Sequence, residues 1–72
     1  MNRAFTGKTV LKTNGENALH ICAEFGKVKL FKWFKFEYSM DLDAENDGGE
    51  TPFLIAAREG KIDIIKMMLE EY

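Results

Sequence analysis

The stretch that decides the fold is Gly49-Glu50-Thr51-Pro52-Phe53-Leu54-Ile55-Ala56-Ala57-Arg58-Glu59-Gly60. Thr51 is a favourable N-cap residue, and Pro52 after it suits the first position of a helix. Gly60 follows the apolar run, where a glycine commonly ends a helix in the left-handed conformation. The stretch therefore predicts a short helix over Pro52–Glu59.

The same pattern occurs 34 residues earlier in the chain. Gly15–Tyr38 aligns with Gly49–Tyr72 without a gap, and nine of the 24 aligned pairs are identical. Most of the other pairs keep their apolar character, so the chain contains an internal repeat. Each copy is predicted to form two helices separated by a glycine. In chain order these helices are Ala18–Phe25, Lys29–Glu37, Pro52–Glu59 and Asp63–Glu71.

The second helix of each copy has apolar residues at positions i, i+1, i+4 and i+8. They are Leu30, Phe31, Phe34 and Tyr38 in the first copy, and Ile64, Ile65, Met68 and Tyr72 in the second. Lysines interleaved with aromatics also occur in membrane-surface helices and in surfaces that stack nucleic-acid bases. An amphipathic repeat helix explains the pattern better, because Lys29, Lys32 and Lys35 are predicted to face away from the apolar stripe. Phe36 falls among the lysines with Trp33 on the flank, and it is either buried by a shifted turn or exposed as a contact.

The segment between the copies, residues 40–50, is predicted to be a hairpin-type loop. Its turn is Asn46-Asp47-Gly48-Gly49, and these residue types tolerate the positive φ of a tight hairpin tip.

Together these features resemble the ankyrin-repeat family, whose units of about 33 residues contain two helices and a hairpin loop. Residues 49–60 are close to the family's G-x-T-P-L-H-x-A-A-x-x-G, residues 15–26 are similar, and residues 40–44 are similar to its A-D-V-N-A. The resemblance implies an all-α fold of two stacked helix-turn-helix repeats joined by a β-hairpin-type loop, a fragment of a solenoid. Repeat 1 would cover residues 14–46, and repeat 2 would cover residues 47–72, truncated at its second helix. Residues 1–13 would be a tail, a capping strand or the remnant of a preceding repeat's hairpin.

The chain departs from the family pattern in three places. The first copy lacks Thr-Pro, and the second has Leu54 where the family has histidine. One residue more than the usual spacing lies near Ser39, where the family usually has a glycine. The extra residue would either extend the second helix of the first copy or bulge the bend after it.

Composition and residue types exclude several functions. The chain of 72 residues has 10 Lys and Arg against 12 Asp and Glu, and this mild acidity argues against nucleic-acid binding. No apolar stretch is long enough to span a bilayer, so no membrane insertion is expected. Cys22 and His20 are the only residues of their types, which leaves no disulfide and no complete zinc site.

Catalytic chemistry is not expected either. Cys22 occupies a small-residue slot, so a buried, inert thiol is predicted. The resemblance implies that His20 is the family histidine that hydrogen-bonds the loop before its helix, and no serine, paired carboxylate or second histidine accompanies it. Thr6-Gly7-Lys8-Thr9 is similar to the end of a phosphate-binding loop, but Asn2 stands where that loop needs a glycine. No enzyme activity, cofactor or metal is therefore predicted.

Members of the family generally bind partners through the hairpin tips and the exposed face of the first helix. Carried over position by position, the predicted partner-binding residues are Thr13, Asn14, Glu16, Glu24 and Phe25 in the first copy, and Asp47, Gly48, Glu50, Arg58 and Glu59 in the second. Five of these ten are acidic and one is an arginine, so the surface is expected to prefer a basic protein segment.

The resemblance thus predicts a protein–protein interaction module, located in the cytoplasm with the nucleus left open. Two alternatives are a regulatory or targeting arm of a larger enzyme or channel, and a structural subunit that completes its array in a larger assembly. The last helix has apolar residues for two faces, so further ankyrin repeats or a docking partner are expected on it. On this basis the chain is expected to be an excerpt of a longer array, with a tolerated apolar end as the other interpretation.

Overall fold

The structure, a computed structural model, describes residues 15–72. These residues form four α-helices, and no strand occurs among them: α1 Ala18–Phe25, α2 Val28–Tyr38, α3 Pro52–Glu59 and α4 Ile62–Glu71. Helix α1 packs on α2 and α3 packs on α4, and the two pairs stack mainly through α1 and α3. The predicted all-α pair of stacked repeats is confirmed. The segment predicted as a tail, residues 1–13, and the phosphate-loop-like residues within it lie outside the described residues.

The first helix of each repeat begins at a capping side chain. The Thr51 hydroxyl oxygen accepts a hydrogen bond from the Leu54 N–H at 3.2 Å, as the sequence predicted for α3. In α1, where Thr-Pro is missing, the Asn17 carboxamide oxygen accepts from the N–H groups of Leu19 and His20 at 2.9 and 3.1 Å. Asparagine is as good an N-cap as threonine, so both repeats start their helices in the same way.

A glycine ends the first helix of each repeat. Gly26 and Gly60 have φ of 69° and 70°, the left-handed conformation that costs glycine little. The following N–H groups, of Lys27 and Lys61, each donate to a carbonyl five residues back at 2.9 Å. This pairing satisfies carbonyls at the helix ends and turns the chain directly into α2 and α4.

Helix α2 runs through Tyr38, directly before the position at which the extra residue is expected. Ser39 follows with φ 49° and ψ 44°, and it is the one non-glycine residue with positive φ in residues 15–72. Serine therefore adopts the left-handed conformation in which the family usually has a glycine.

The core lies where the four helices meet. Its fully or nearly fully buried side chains come from all four: Leu19, His20, Cys22, Ala23, Phe31, Pro52, Ile55, Ala56, Ile64, Met67 and Met68. The predicted stripe on α2 is only partly correct, because Phe31 is buried and Phe34 is half-buried, whereas Leu30 and Tyr38 are exposed. Leu30 lies on the side of the first repeat away from the second, and Tyr38 is the last residue of α2.

The remaining predictions for the second helices have mixed outcomes. Phe36 is 82% exposed and Trp33 is also exposed, so the shifted turn does not bury Phe36. Lys32 and Lys35 are half-buried, although both were predicted to face away, and Lys32 pairs with Glu71 of the second repeat. Tyr72, predicted in the apolar stripe of α4, is exposed.

The loop between the repeats turns around Asn46. The Asn46 side-chain oxygen accepts hydrogen bonds from the backbone N–H groups of Gly48 and Glu50, each at 2.9 Å. The backbone N–H of Asn46 donates to the Glu50 carbonyl oxygen at 3.0 Å. Of the four predicted turn residues, only Gly49 has a positive φ, at 79°. The turn is therefore the predicted one, but hydrogen bonds accepted by the Asn46 side chain maintain it instead of a ladder of paired strands.

Candidate functional site

The loop at residues 46–50 forms the tip of the second repeat, and the start of the first repeat lies against it. A Cβ atom at Gly15 would lie 2.6 Å from the Asp47 carboxylate oxygen. The two repeats therefore approach each other closely at their tips, where Asp47 and Gly48 are exposed. Thr13 and Asn14, predicted to bind a partner beside this point, lie outside the described residues.

Arg58 connects the tip of the second repeat to the exposed side of α3. Its guanidinium group pairs with the carboxylate of Glu50 in the loop and with that of Glu59, the latter at 3.2 Å. The Asn46 side-chain amide also donates to Glu50 at 3.3 Å. These hydrogen bonds, first from Asn46 and then from Arg58, lower the pKa of the Glu50 carboxyl group. The same contacts with Glu50 and Glu59 raise the pKa of Arg58.

Three of the predicted acidic residues remain outside this network. Glu16 and Glu24 are half-buried and Asp47 is exposed, and none of the three forms an ion pair with another described residue. The one predicted cation, Arg58, is already paired with two carboxylates. The candidate surface therefore presents unpaired negative charge, while its positive charge is neutralised internally.

Phe25 is separated from the tips. It is the last residue of α1, a helix of eight residues that spans about 12 Å. Its exposed ring lines an open groove of about 370 Å³ together with Ile62 and the turns at Gly26 and Gly60. The predicted set is therefore divided between an acidic part near the tips and an apolar residue near the turns. The sequence reasoning missed the contribution of Ile62, which aligns with the half-buried Val28.

His20 joins the two repeats from inside the core. Its side chain is fully buried, and its Nε2 atom donates to the Glu50 carbonyl oxygen at 2.8 Å. Because a carbonyl can only accept, Nε2 carries the proton, and Nδ1 accepts from the Asn17 N–H at 3.1 Å. The predicted bond to the preceding loop is present, and the second bond reaches the loop of the next repeat. His20 has no access to a substrate, so its role is structural.

The other reactive groups are equally inaccessible or dispersed. Cys22 is buried, as predicted, and burial raises the pKa of its thiol, which keeps it in the unreactive protonated form. No group of three or more His, Cys, Asp or Glu side chains in residues 15–72 is arranged to hold a metal ion. Within the same range, none of the helices is both long and apolar enough to cross a membrane.

Comparison with known proteins adds one match to these observations. The sequence model of the family described as "Ankyrin repeats (3 copies)" matches residues 3–72. The match includes nearly the whole chain and begins twelve residues before the described part. No curated protein and no solved structure matches the chain. Ankyrin repeats are generally non-catalytic modules that bind other proteins. The chain belongs to the ankyrin-repeat family.

Proposed function

We propose that the chain recognises a basic segment of another protein through an acidic surface formed by the loop tips and the exposed side of α1 and α3. The observation that carries the proposal is the neutralisation of Arg58 by Glu50 and Glu59. With that cation paired, the carboxylates of Glu16, Glu24 and Asp47 are the charges of the predicted set that form no ion pair within residues 15–72. Complementary charge favours both the rate and the specificity of such an encounter.

The division of the site suggests how a partner would be oriented. A cationic stretch would lie beside the tips, near Asp47, and an apolar side chain of the same partner would contact Phe25 and Ile62 in the groove at the turns. Buried aromatic contacts commonly contribute most of the affinity of an interface, whereas exposed charges contribute mainly to steering. Phe25 would therefore set the strength of binding, and the carboxylates would set the preference for basic partners.

A reducing, intracellular setting suits this module, because Cys22 is a single buried thiol without a disulfide partner. We assign no reaction to the chain, since its buried histidine and cysteine face no substrate. A second role, as the docking unit of a larger assembly or the arm of a larger protein, is favoured by the apolar side of α4. Leu69 on this helix is 72% exposed, so a further repeat or a partner could cover it.

The test compares two fluorescent peptides of equal length, one rich in lysine and one rich in glutamate, by fluorescence anisotropy. The wild-type chain is expected to bind the lysine-rich peptide more tightly, with an affinity that falls as salt is added. Glu24→Lys with Asp47→Lys should abolish this preference. The matched control, Glu37→Lys with Glu70→Lys, makes the same charge change at exposed positions on α2 and α4, away from the tips and the groove, and should keep it. Equal binding of both peptides by the wild-type chain, or equal effects of the two double variants, would contradict the proposal.

A further inference from the structure

The two repeats differ in which of their equivalent side chains are buried. Ile55 and Ile64 in the second repeat are fully buried, whereas their equivalents Ile21 and Leu30 are 40% and 48% exposed. The second repeat has the first repeat beside it, and this neighbour accounts for the difference. Ile21, Leu30 and the adjacent exposed Trp33 therefore form a face equivalent to one that is already buried within the chain. We call these three residues the leading face.

The opposite comparison identifies a second open face. In the first repeat, His20, Ala23 and Phe31 are fully buried next to the second repeat. Their equivalents in the second repeat, Leu54, Ala57 and Ile65, are exposed or only partly buried. We call the latter three residues the trailing face. The contact between the repeats joins a surface of the trailing type to a surface of the leading type, and residues 15–72 present one further copy of each.

One ion pair crosses the contact between the repeats, and the equivalents of its two residues lie beside the two open faces. The Lys32 ammonium group on α2 lies 2.9 Å from the Glu71 carboxylate on α4, and this contact raises the pKa of Lys32. The equivalents of these two residues are Lys66 and Glu37, which are identical in type. Both are exposed, and neither forms an ion pair within the described residues. Lys66 borders the trailing face and Glu37 borders the leading face, so the two faces have opposite charges that could form the same ion pair.

We propose that the chain stacks head to tail on a second copy of itself, the trailing face of one molecule covering the leading face of the next, with Lys66 of one paired to Glu37 of the other. Such an arrangement continues the repeat spacing from one molecule to the next. Because the two faces of the contact differ, the association does not close at a dimer but can add further copies. The proposal is independent of the acidic recognition surface, which lies at the tips and on the exposed side of α1 and α3.

One contact within the chain has no counterpart in this stack. His20 donates to the Glu50 carbonyl, but Leu54 stands at the equivalent position and cannot donate to the carbonyl of Glu16. Contact between copies is therefore weaker than contact between repeats. We expect association to become visible at micromolar to millimolar concentrations and not below.

The experiment is sedimentation velocity on the full chain over roughly 10 μM to 1 mM. The average mass of the wild-type chain is expected to rise with concentration. Lys66→Glu and Glu37→Lys should each weaken association about fivefold, because each places like charges across the contact. Mixing these two variants should restore association, since opposite charges then meet at every contact. The double variant Lys66→Glu with Glu37→Lys should also associate.

The control is Lys29→Glu, which makes the same charge change as Lys66→Glu at an exposed position on α2 whose equivalent, Asp63, lies outside both faces. Far-UV circular dichroism would establish that all variants are folded. A wild-type chain that stays monomeric over the whole range would overturn the proposal. Association that responds equally to Lys66→Glu and Lys29→Glu, or that mixing does not restore, would overturn it as well.

Discussion

Replacing Ser39 by glycine should stabilise the fold. Ser39 has φ 49° and ψ 44° at the end of α2, a conformation in which its Cβ atom crowds the backbone. An L-residue in this conformation costs about 1–2 kcal/mol relative to the right-handed helix. Glycine avoids that cost but loses about 0.5–1 kcal/mol more conformational freedom on folding. The side chain is exposed, so its removal uncovers no part of the core.

The net expectation for Ser39→Gly is a gain of about 0.5–1 kcal/mol in the free energy of unfolding, or a rise in Tm of roughly 2–8 °C. Urea and thermal denaturation followed by far-UV circular dichroism, at one fixed protein concentration, would measure it. Ser39→Ala is the control, because it removes the hydroxyl group and keeps the Cβ atom. If alanine stabilised as much as glycine, or if glycine gave no gain, the left-handed conformation would not be the source of the cost.

Gly60→Ala, the reverse exchange, should lower the free energy of unfolding measured in urea by about 1 kcal/mol. A Cβ atom at this position meets no other atom within 4 Å, so the cost is conformational alone. Gly26→Ala should cost slightly more, since its Cβ would lie 3.3 Å from a lysine methylene that has to move; a smaller cost at position 26 would contradict this. His20→Ala should lower the free energy of unfolding by about 2–4 kcal/mol, because it opens a cavity, removes one of the two donors to the Glu50 carbonyl and leaves the Asn17 N–H without its acceptor. Leu54→Ala, at the equivalent half-exposed position, should cost less than about 1 kcal/mol, and equal losses would refute the assigned role of the histidine. The depressed pKa of Glu50 means that its contribution to stability is complete above its ordinary value of 4.5 and is lost as the pH falls through the lower folded-state value. Urea midpoints measured across that window should therefore decline less steeply for Glu50→Gln than for the wild-type chain, and identical slopes would exclude this contribution.

Local signals in the sequence were enough to predict the helices. Thr51, Pro52 and Gly60 act through neighbouring backbone groups, so the bounds of α3 followed from residue types alone. The bounds of α1 followed from alignment with α3, although the N-cap role of Asn17 was not recognised. An asparagine three residues before His20 is a sequence signal for a cap and could have been used.

The sequence did not show in the same way which part of the chain packs against each face of a helix. Periodicity placed Leu30 and Phe31 on one stripe, yet only Phe31 is buried, because the second repeat covers one side of α2 and not the other. The count of charged residues predicted an acidic candidate surface, but it did not show which of those residues form ion pairs with one another. The network of Asn46, Glu50 and Arg58 depends on the path of the loop over the end of α3, which is a three-dimensional property. Partner preference accordingly stays a prediction.

The contacts of Glu50 couple the unfolding of the two repeats. Its carbonyl oxygen is bonded to His20, 30 residues earlier, while its carboxylate is bonded to Arg58 in its own repeat. Fraying of α3 would break the contact of Arg58 with the loop and weaken the hydrogen bond between the loop and α1. Fraying of α1 would withdraw the imidazole, which is one of the two donors to the Glu50 carbonyl. The two repeats therefore lose order as a single cooperative unit. In hydrogen exchange, the slowest amide protons of α1 and α3 would have one shared opening free energy, and neither helix would outlast the other.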